Sequence, residues 1–102
     1  GYGGHGIGTA MHMAPEVPNY PVGTAGAKVA PGMCIAIEPM LVIGTSESDV
    51  LDDGWTVVSA DGSRSSPAEP SIARHEDGIW VLTAADGGAE LLAPFGIEPV
   101  AP

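Results

Sequence analysis

Apolar residues in this chain gather in short runs broken by glycine, proline and acidic turns, a pattern that predicts strands and turns rather than long helices. Residues 34–38 (CIAIE) and 40–43 (MLVI) read as strand on either side of a break at Pro39, on the strength of their β-branched and apolar side chains. Residues 55–60 (WTVVSA) form another strand candidate, ended by the turn at Asp61-Gly62. The weakly alternating SIARHE at 71–76 passes through Asp77-Gly78 into IWVLTA at 79–84, and that dipeptide between two such runs signals a hairpin. A helix of a turn or two is expected only over GAELLA, 88–93, ahead of Pro94. Residues 21–32 (PVGTAGAKVAPG) and 44–54 (GTSESDVLDDG) read as loops, and the tail FGIEPVAP is expected to fray.

Composition narrows the class. Glycine and proline, 15 and 10 of 102 residues, punctuate about a quarter of the chain, and no internal repeat is present. The length allows one modest core. Thirteen acidic residues against three basic ones give a net charge of -10, which repels a polyanion and argues against nucleic acid as a ligand. The longest apolar stretch, Met33 to Gly44, is interrupted by Glu38 and falls far short of the roughly 20 residues that span a bilayer, so no membrane partner is expected. A single cysteine, Cys34, cannot form an internal disulfide, which fits a reducing cytoplasm. The chain begins abruptly at glycine with no charged-then-apolar leader, and a missing upstream portion is expected.

Candidate chemistry concentrates in GYGGHGIGTAMHMAPEVPNYP, which holds two of the three histidines. His5 is flanked by glycines, so the backbone there can make close approaches that a Cβ would forbid, and the ring can be aimed at a partner. His12 lies seven residues on, a spacing that is neither the i, i+4 of a helix nor the i, i+2 of a strand. One histidine is then free to bind a metal while the other touches substrate. Met11 and Met13 flank His12, either as packing or as a flexible apolar wall. Glu38 interrupts an apolar strand, where a carboxylate is costly unless it is wet, paired or bound to a cation. Glu69 stands in SSPAEPSIA, with a surface position as its simplest reading.

Four ordered motifs then carry a resemblance: Gly4-His5-Gly6-Ile7-Gly8; His12 with Pro15; Pro31-Gly32-Met33 followed by Ile37-Glu38-Pro39-Met40; and Asp53-Gly54-Trp55-Thr56-Val57. Together they resemble the carboxy-terminal half of a type I methionine aminopeptidase, with the likeness continuing less firmly to Leu82 and Thr83. The resemblance implies an α+β pita-bread fold, here a partial one of mostly antiparallel strands with little helix. Residues 1–102 would be the carboxy-terminal part of the catalytic domain, with the amino-terminal half absent. It implies a site with two divalent ions (Co, Mn, Fe or Zn), in which His5, Glu38 and Glu69 are metal ligands. His12 and Glu38 would be catalytic, His12 beside the peptide and Glu38 handling the proton of the attacking water, with His12 and Trp55 binding substrate. The implied substrate is the N-terminus of a nascent peptide, and the implied compartment is the cytoplasm.

Two departures accompany the match. Glu69 follows Ala68 and precedes Pro70, where the family usually has an aromatic and a histidine, and Glu76 lies seven residues out of register as a rival. The family's two metal-binding aspartates and a further histidine belong to its amino-terminal half; Asp49, Asp52 and Asp53 come in the wrong order to replace them. The 102 residues alone are therefore expected to be inactive. The alternatives are a non-catalytic module, a split enzyme completed by a separate amino-terminal chain, or a proline-specific aminopeptidase. Met40-Leu41 after Glu38-Pro39 favours the methionine branch over the last.

Overall fold

The computed structural model describes residues 2–102. The strands run β1 (Gly4–Ile7), β2 (Met13–Val17), β3 (Cys34–Ala36), β4 (Met40–Val42), β5 (Ser48–Val50), β6 (Val57–Ser59), β7 (Ser65–Pro67), β8 (Ser71–Arg74) and β9 (Ile79–Val81). A short helix α1 (Ala89–Leu92) and a 3-10 turn over Ala93–Phe95 follow. The chain divides into two units, with Pro39–Ala68 as one and the residues before and after that excursion as the other.

The larger unit is a five-stranded antiparallel sheet in the order β2-β1-β3-β8-β9. Its central strand β3 opposes His5, Gly6 and Ile7 of β1 with Ala36, Ile35 and Cys34, and opposes β8 with Cys34↔Ala73, Ile35↔Ile72 and Ala36↔Ser71. One more bond extends the second ladder, the Ile37 N–H donating to the Pro70 carbonyl at 3.0 Å. The buried apolar residues are Ala36 and Val81, and no large side chain is fully buried among the described residues. Tyr2, Met13, Tyr20, Leu82, Leu91 and Phe95 all stand exposed on this unit.

The sheet owes its narrow spacing at β1 to glycine. A Cβ on Gly4 would lie 2.2 Å from the Ala36 carbonyl oxygen, and one on Gly6 would lie 2.2 Å from that of Ala14. At the other end of the unit the carboxylate of Asp86, two residues before the left-handed Gly88, accepts the N–H groups of Gly88 and Glu90 and so starts α1. Those two bonds, Glu90 first, hold its pKa below the usual carboxylate value.

The Pro39–Ala68 unit is two nested antiparallel pairs. β4 faces β7 (Met40↔Pro67, Leu41↔Ser66, Val42↔Ser65), and β5 faces β6 (Ser48↔Ser59, Asp49↔Val58, Val50↔Val57) in an unchanged frame. None of its described residues is buried, so backbone ladders and turn bonds hold it rather than a core. Asp53 closes the tip, accepting from the N–H groups of Trp55 and Thr56 and from the Thr56 hydroxyl. Asp61 closes the joint between the pairs, with the Thr45 N–H on Oδ2 (2.9 Å) and the Ser63 N–H on Oδ1 (3.0 Å). The Ser63 hydroxyl and then these backbone donors lower the Asp61 pKa to about 2.

Several expectations shift against this architecture. The run 34–43 divides into β3 and β4 at Pro39 as expected, while 55–60, 71–76 and 79–84 shorten to β6, β8 and β9. The expected helix at 88–93 is α1 prolonged by a 3-10 turn that contains Pro94. β1, β2 and β7 are rich in glycine, proline or serine and carry no propensity signal, and β5 lies inside the expected loop 44–54; each exists because a partner strand supplies its hydrogen bonds. The tail does not fray at Val100, whose N–H donates to Ile79 (3.0 Å) and whose carbonyl accepts the His75 Nε2–H (2.7 Å).

Two outcomes follow from these contacts. Gly6→Ala should lower the urea-unfolding stability of the chain by about 1–3 kcal/mol through the enforced backbone shift. Gly23→Ala, with nothing within 4 Å of its Cβ position, should cause no loss. A depressed carboxylate stabilises fully above its unfolded value, 3.8 for Asp61, and that contribution disappears as pH falls through about 2. The Thr45 and Ser63 amide signals in NMR should therefore lose their native shifts between pH 4 and 2, and in Asp61→Asn that pH-dependent step should be absent.

Candidate metal centre

Strand parity assembles the site. Side chains alternate along a strand, and residues opposed in an antiparallel pair point to the same face. His5 opposes Ala36, and Ala36 opposes Ser71, so these three share one face. Glu38 is two residues beyond Ala36, and Glu69 two residues before Ser71. Because the ladder reaches Ile37 and Pro70 without a slip, the two glutamates leave the sheet opposite one another, on the face that carries His5. Ala36, at the centre of that face, is fully buried.

One ligand atom from each of His5, Glu38 and Glu69 lies within 4.8 Å of the others. His5 is buried, Glu38 half-buried and Glu69 exposed. The His5 Nδ1 stands 2.9 Å from the Gly6 carbonyl, which can only accept, so Nδ1 carries a proton and the neutral ring presents its lone pair at Nε2. Nε2 faces Glu38 Oε1 at 2.8 Å. That distance is within ion-pair range, and Oε1 is buried with no other hydrogen-bond donor. Two lone pairs thus converge on one point, and a cation at that point would satisfy both.

The protein's own cations do not serve there. Among the described residues His5–Glu38 is the one ion-pair contact, and the Arg74 guanidinium is engaged with the Gly78 carbonyl. One imidazole and two carboxylates form a donor set suited to a hard or borderline divalent ion.

His12 reaches the site through a bulge. On β2, Glu16 opposes His5 but Met13 opposes Gly6, so Ala14 and Pro15 are set outside the ladder. The turn before β2 is braced by the Met13 sulfur, which accepts the Ala10 N–H at 3.4 Å. The His12 ring then lies against His5, with centroids 4.3 Å apart at 56°. His12 is outside the three-ligand group but shares with His5 a cleft of about 700 Å³, lined also by Tyr2, Met13, Glu16 and Tyr20. Of these, Tyr2, Glu16 and Tyr20 had no sequence signal; the pairing of Glu16 with His5 appears only once the register is known.

The other candidates fall elsewhere. Trp55 belongs to the Pro39–Ala68 unit, 87% exposed beside the hairpin tip, as do Asp49, Asp52 and Asp53. Glu76 sits in the turn between β8 and β9, outside the three-ligand group. Met11 is exposed and lines no part of the cleft.

Comparison with known proteins places these features in a family. A model of metallopeptidase family M24 matches residues 1–83. The chain is 52% identical over 83 residues to methionine aminopeptidase 1 of Mycobacterium tuberculosis, covering 81% of this chain and 31% of that protein. It is 46% identical over 80 residues to methionine aminopeptidase A of Synechocystis, covering 78% and 32%. The crystal structure of a methionine aminopeptidase from Thermotoga maritima superposes with a TM-score of 0.73 at 43% identity, over 80% of this chain and 33% of that one. The chain therefore spans about a third of the length of the relatives it matches, and its architecture is part of the pita-bread fold.

Proposed function

The chain belongs to metallopeptidase family M24, and from that premise we propose that it is the carboxy-terminal part of a methionine aminopeptidase, a hydrolase that removes the initiator methionine from nascent polypeptides in the cytoplasm. The observation that carries this reading is the convergence of His5 Nε2 and Glu38 Oε1, with Glu69 alongside, in a chain similar to methionine aminopeptidases over about 80 residues.

In this reading His5, Glu38 and Glu69 hold divalent metal, with Co, Mn, Fe and Zn all compatible with the donors. Metal there would supply Lewis acidity, activating water for attack and polarising the scissile carbonyl. The residues do the rest. The Nδ1–H bond to Gly6 fixes the tautomer of His5 and keeps Nε2 free to bind. Glu38 combines a ligating oxygen with a carboxylate able to take the proton of the attacking water. His12, tilted against His5 and lining the cleft, would donate to the substrate carbonyl as charge develops on it. A separate amino-terminal half would complete the ligand set, since one histidine and two glutamates are too few to hold two ions tightly.

A second reading, a non-catalytic module, is favoured by one observation. Pro70 takes an N–H from the ladder beside Glu69, and the exposed Glu69 carboxylate is the least constrained of the three ligands.

Isothermal titration of the purified chain with Mn or Co distinguishes these. The expected result is weak binding that His5→Ala and Glu38→Ala each reduce about tenfold or more, with no release of methionine from a Met-Ala-Ser peptide by the chain alone. Binding indifferent to both substitutions would overturn the assigned site. Methionine release by the unassisted chain would overturn the need for a second half.

A further inference from the structure

The backbone around Glu38 is unusually short of partners. In an antiparallel ladder, opposed residues either exchange two hydrogen bonds or none, in alternation. Ile37 and Pro70 form a bonding pair, but proline has no N–H, so only the Ile37 N–H to Pro70 carbonyl bond exists. Ala68 likewise donates to the Pro39 carbonyl at 3.1 Å with no return bond, because Pro39 has no N–H. Glu38 and Glu69 lie between these two half-bonded steps, in a non-bonding position whose N–H and carbonyl groups turn outward. On β3 outward means toward β1, and the β1·β3 pairing has already ended at His5↔Ala36. The carbonyl of the metal-facing glutamate has thus run past its neighbouring strand.

Asn19 fills that gap. Its side-chain amide donates from Nδ2 to the Glu38 carbonyl at 2.6 Å, across 19 residues of sequence. Asn19 follows β2 and precedes Tyr20, which lines the cleft shared by His5 and His12. The same bond therefore ties the cleft wall to the residue that offers Oε1.

We propose that Asn19 is a positioning residue for the metal centre: its carboxamide stands in for a missing strand and holds the Glu38 backbone so that Oε1 meets His5 Nε2. The inference rests on the reading of His5, Glu38 and Glu69 as metal ligands. It commits Asn19 to the hydrogen bond itself, and not to packing, since the side chain lies at the surface.

Cobalt ion is the probe, with the full chain as it exists. Asn19→Ala deletes the donor, and Asn19→Asp keeps the size and shape but sets a carboxylate oxygen against the carbonyl. Both are expected to weaken cobalt affinity about tenfold and to change the visible absorption of bound cobalt, which reports ligand arrangement, while the urea midpoint of the metal-free chain stays near that of the unmodified protein. A trans-hydrogen-bond NMR coupling between the Asn19 side-chain nitrogen and the Glu38 carbonyl carbon is expected in the metal-free chain. Absence of that coupling overturns the proposal without reference to any metal. Retention of affinity and spectrum in Asn19→Asp overturns it as well, because shape alone then suffices. Failure of the unmodified chain to bind cobalt overturns the metal-centre reading itself, an outcome distinct from binding that ignores Asn19.

Discussion

The pairing frame between β3 and β8 is the constraint on which the site depends. Side chains on a strand alternate with period two, so a slip of one residue would send Glu69 to the opposite face from Glu38 and His5. The frame holds across three opposed pairs and one further bond to Pro70, even though that step lacks half of its hydrogen bonding. A proline on each side of the glutamate pair removes an N–H from the ladder there. Ala36, on the same face as His5, is fully buried.

Electrostatics explains why this geometry points to a cation. A half-buried carboxylate normally finds a basic partner or several N–H donors. Glu38 Oε1 has no lysine, arginine or backbone N–H beside it; the group it meets at 2.8 Å is a histidine nitrogen whose ring proton is engaged on the far side. The contrast with Asp53, Asp61 and Asp86 is direct. Each of those carboxylates accepts backbone N–H groups and has a depressed pKa, and each shapes a turn or a helix start. Acidic residues in this chain therefore stand in two kinds of setting, bracing turns in one case and converging with a histidine in the other.

Family membership and the thin core agree with one another. Among the described residues only Ala36 and Val81 are buried and apolar, while large apolar side chains stand exposed on the sheet unit. The chain spans about a third of its relatives' length, and in a pita-bread enzyme built from the whole of that length further chain is available to cover such surface.

Sequence alone determined the chemistry and the local breaks. The glycines around His5 are required by approaches to the Ala36 and Ala14 carbonyl oxygens, a demand written into the residue order as GGHGIG. Pro39 marks the break between β3 and β4 because proline cannot donate to a ladder, and the ordered motifs identify the family from residue types and spacing. Tertiary structure decided the rest. It made strands of glycine- and serine-rich segments that have no intrinsic preference, and it brought Glu69 opposite Glu38 in spite of its unusual neighbours Ala68 and Pro70. It also set His12 against His5 through a bulge and placed Asn19 on the Glu38 carbonyl. Each of these depends on which backbone groups meet across the sheet, and long-range pairing leaves no periodic trace in the sequence between the partners.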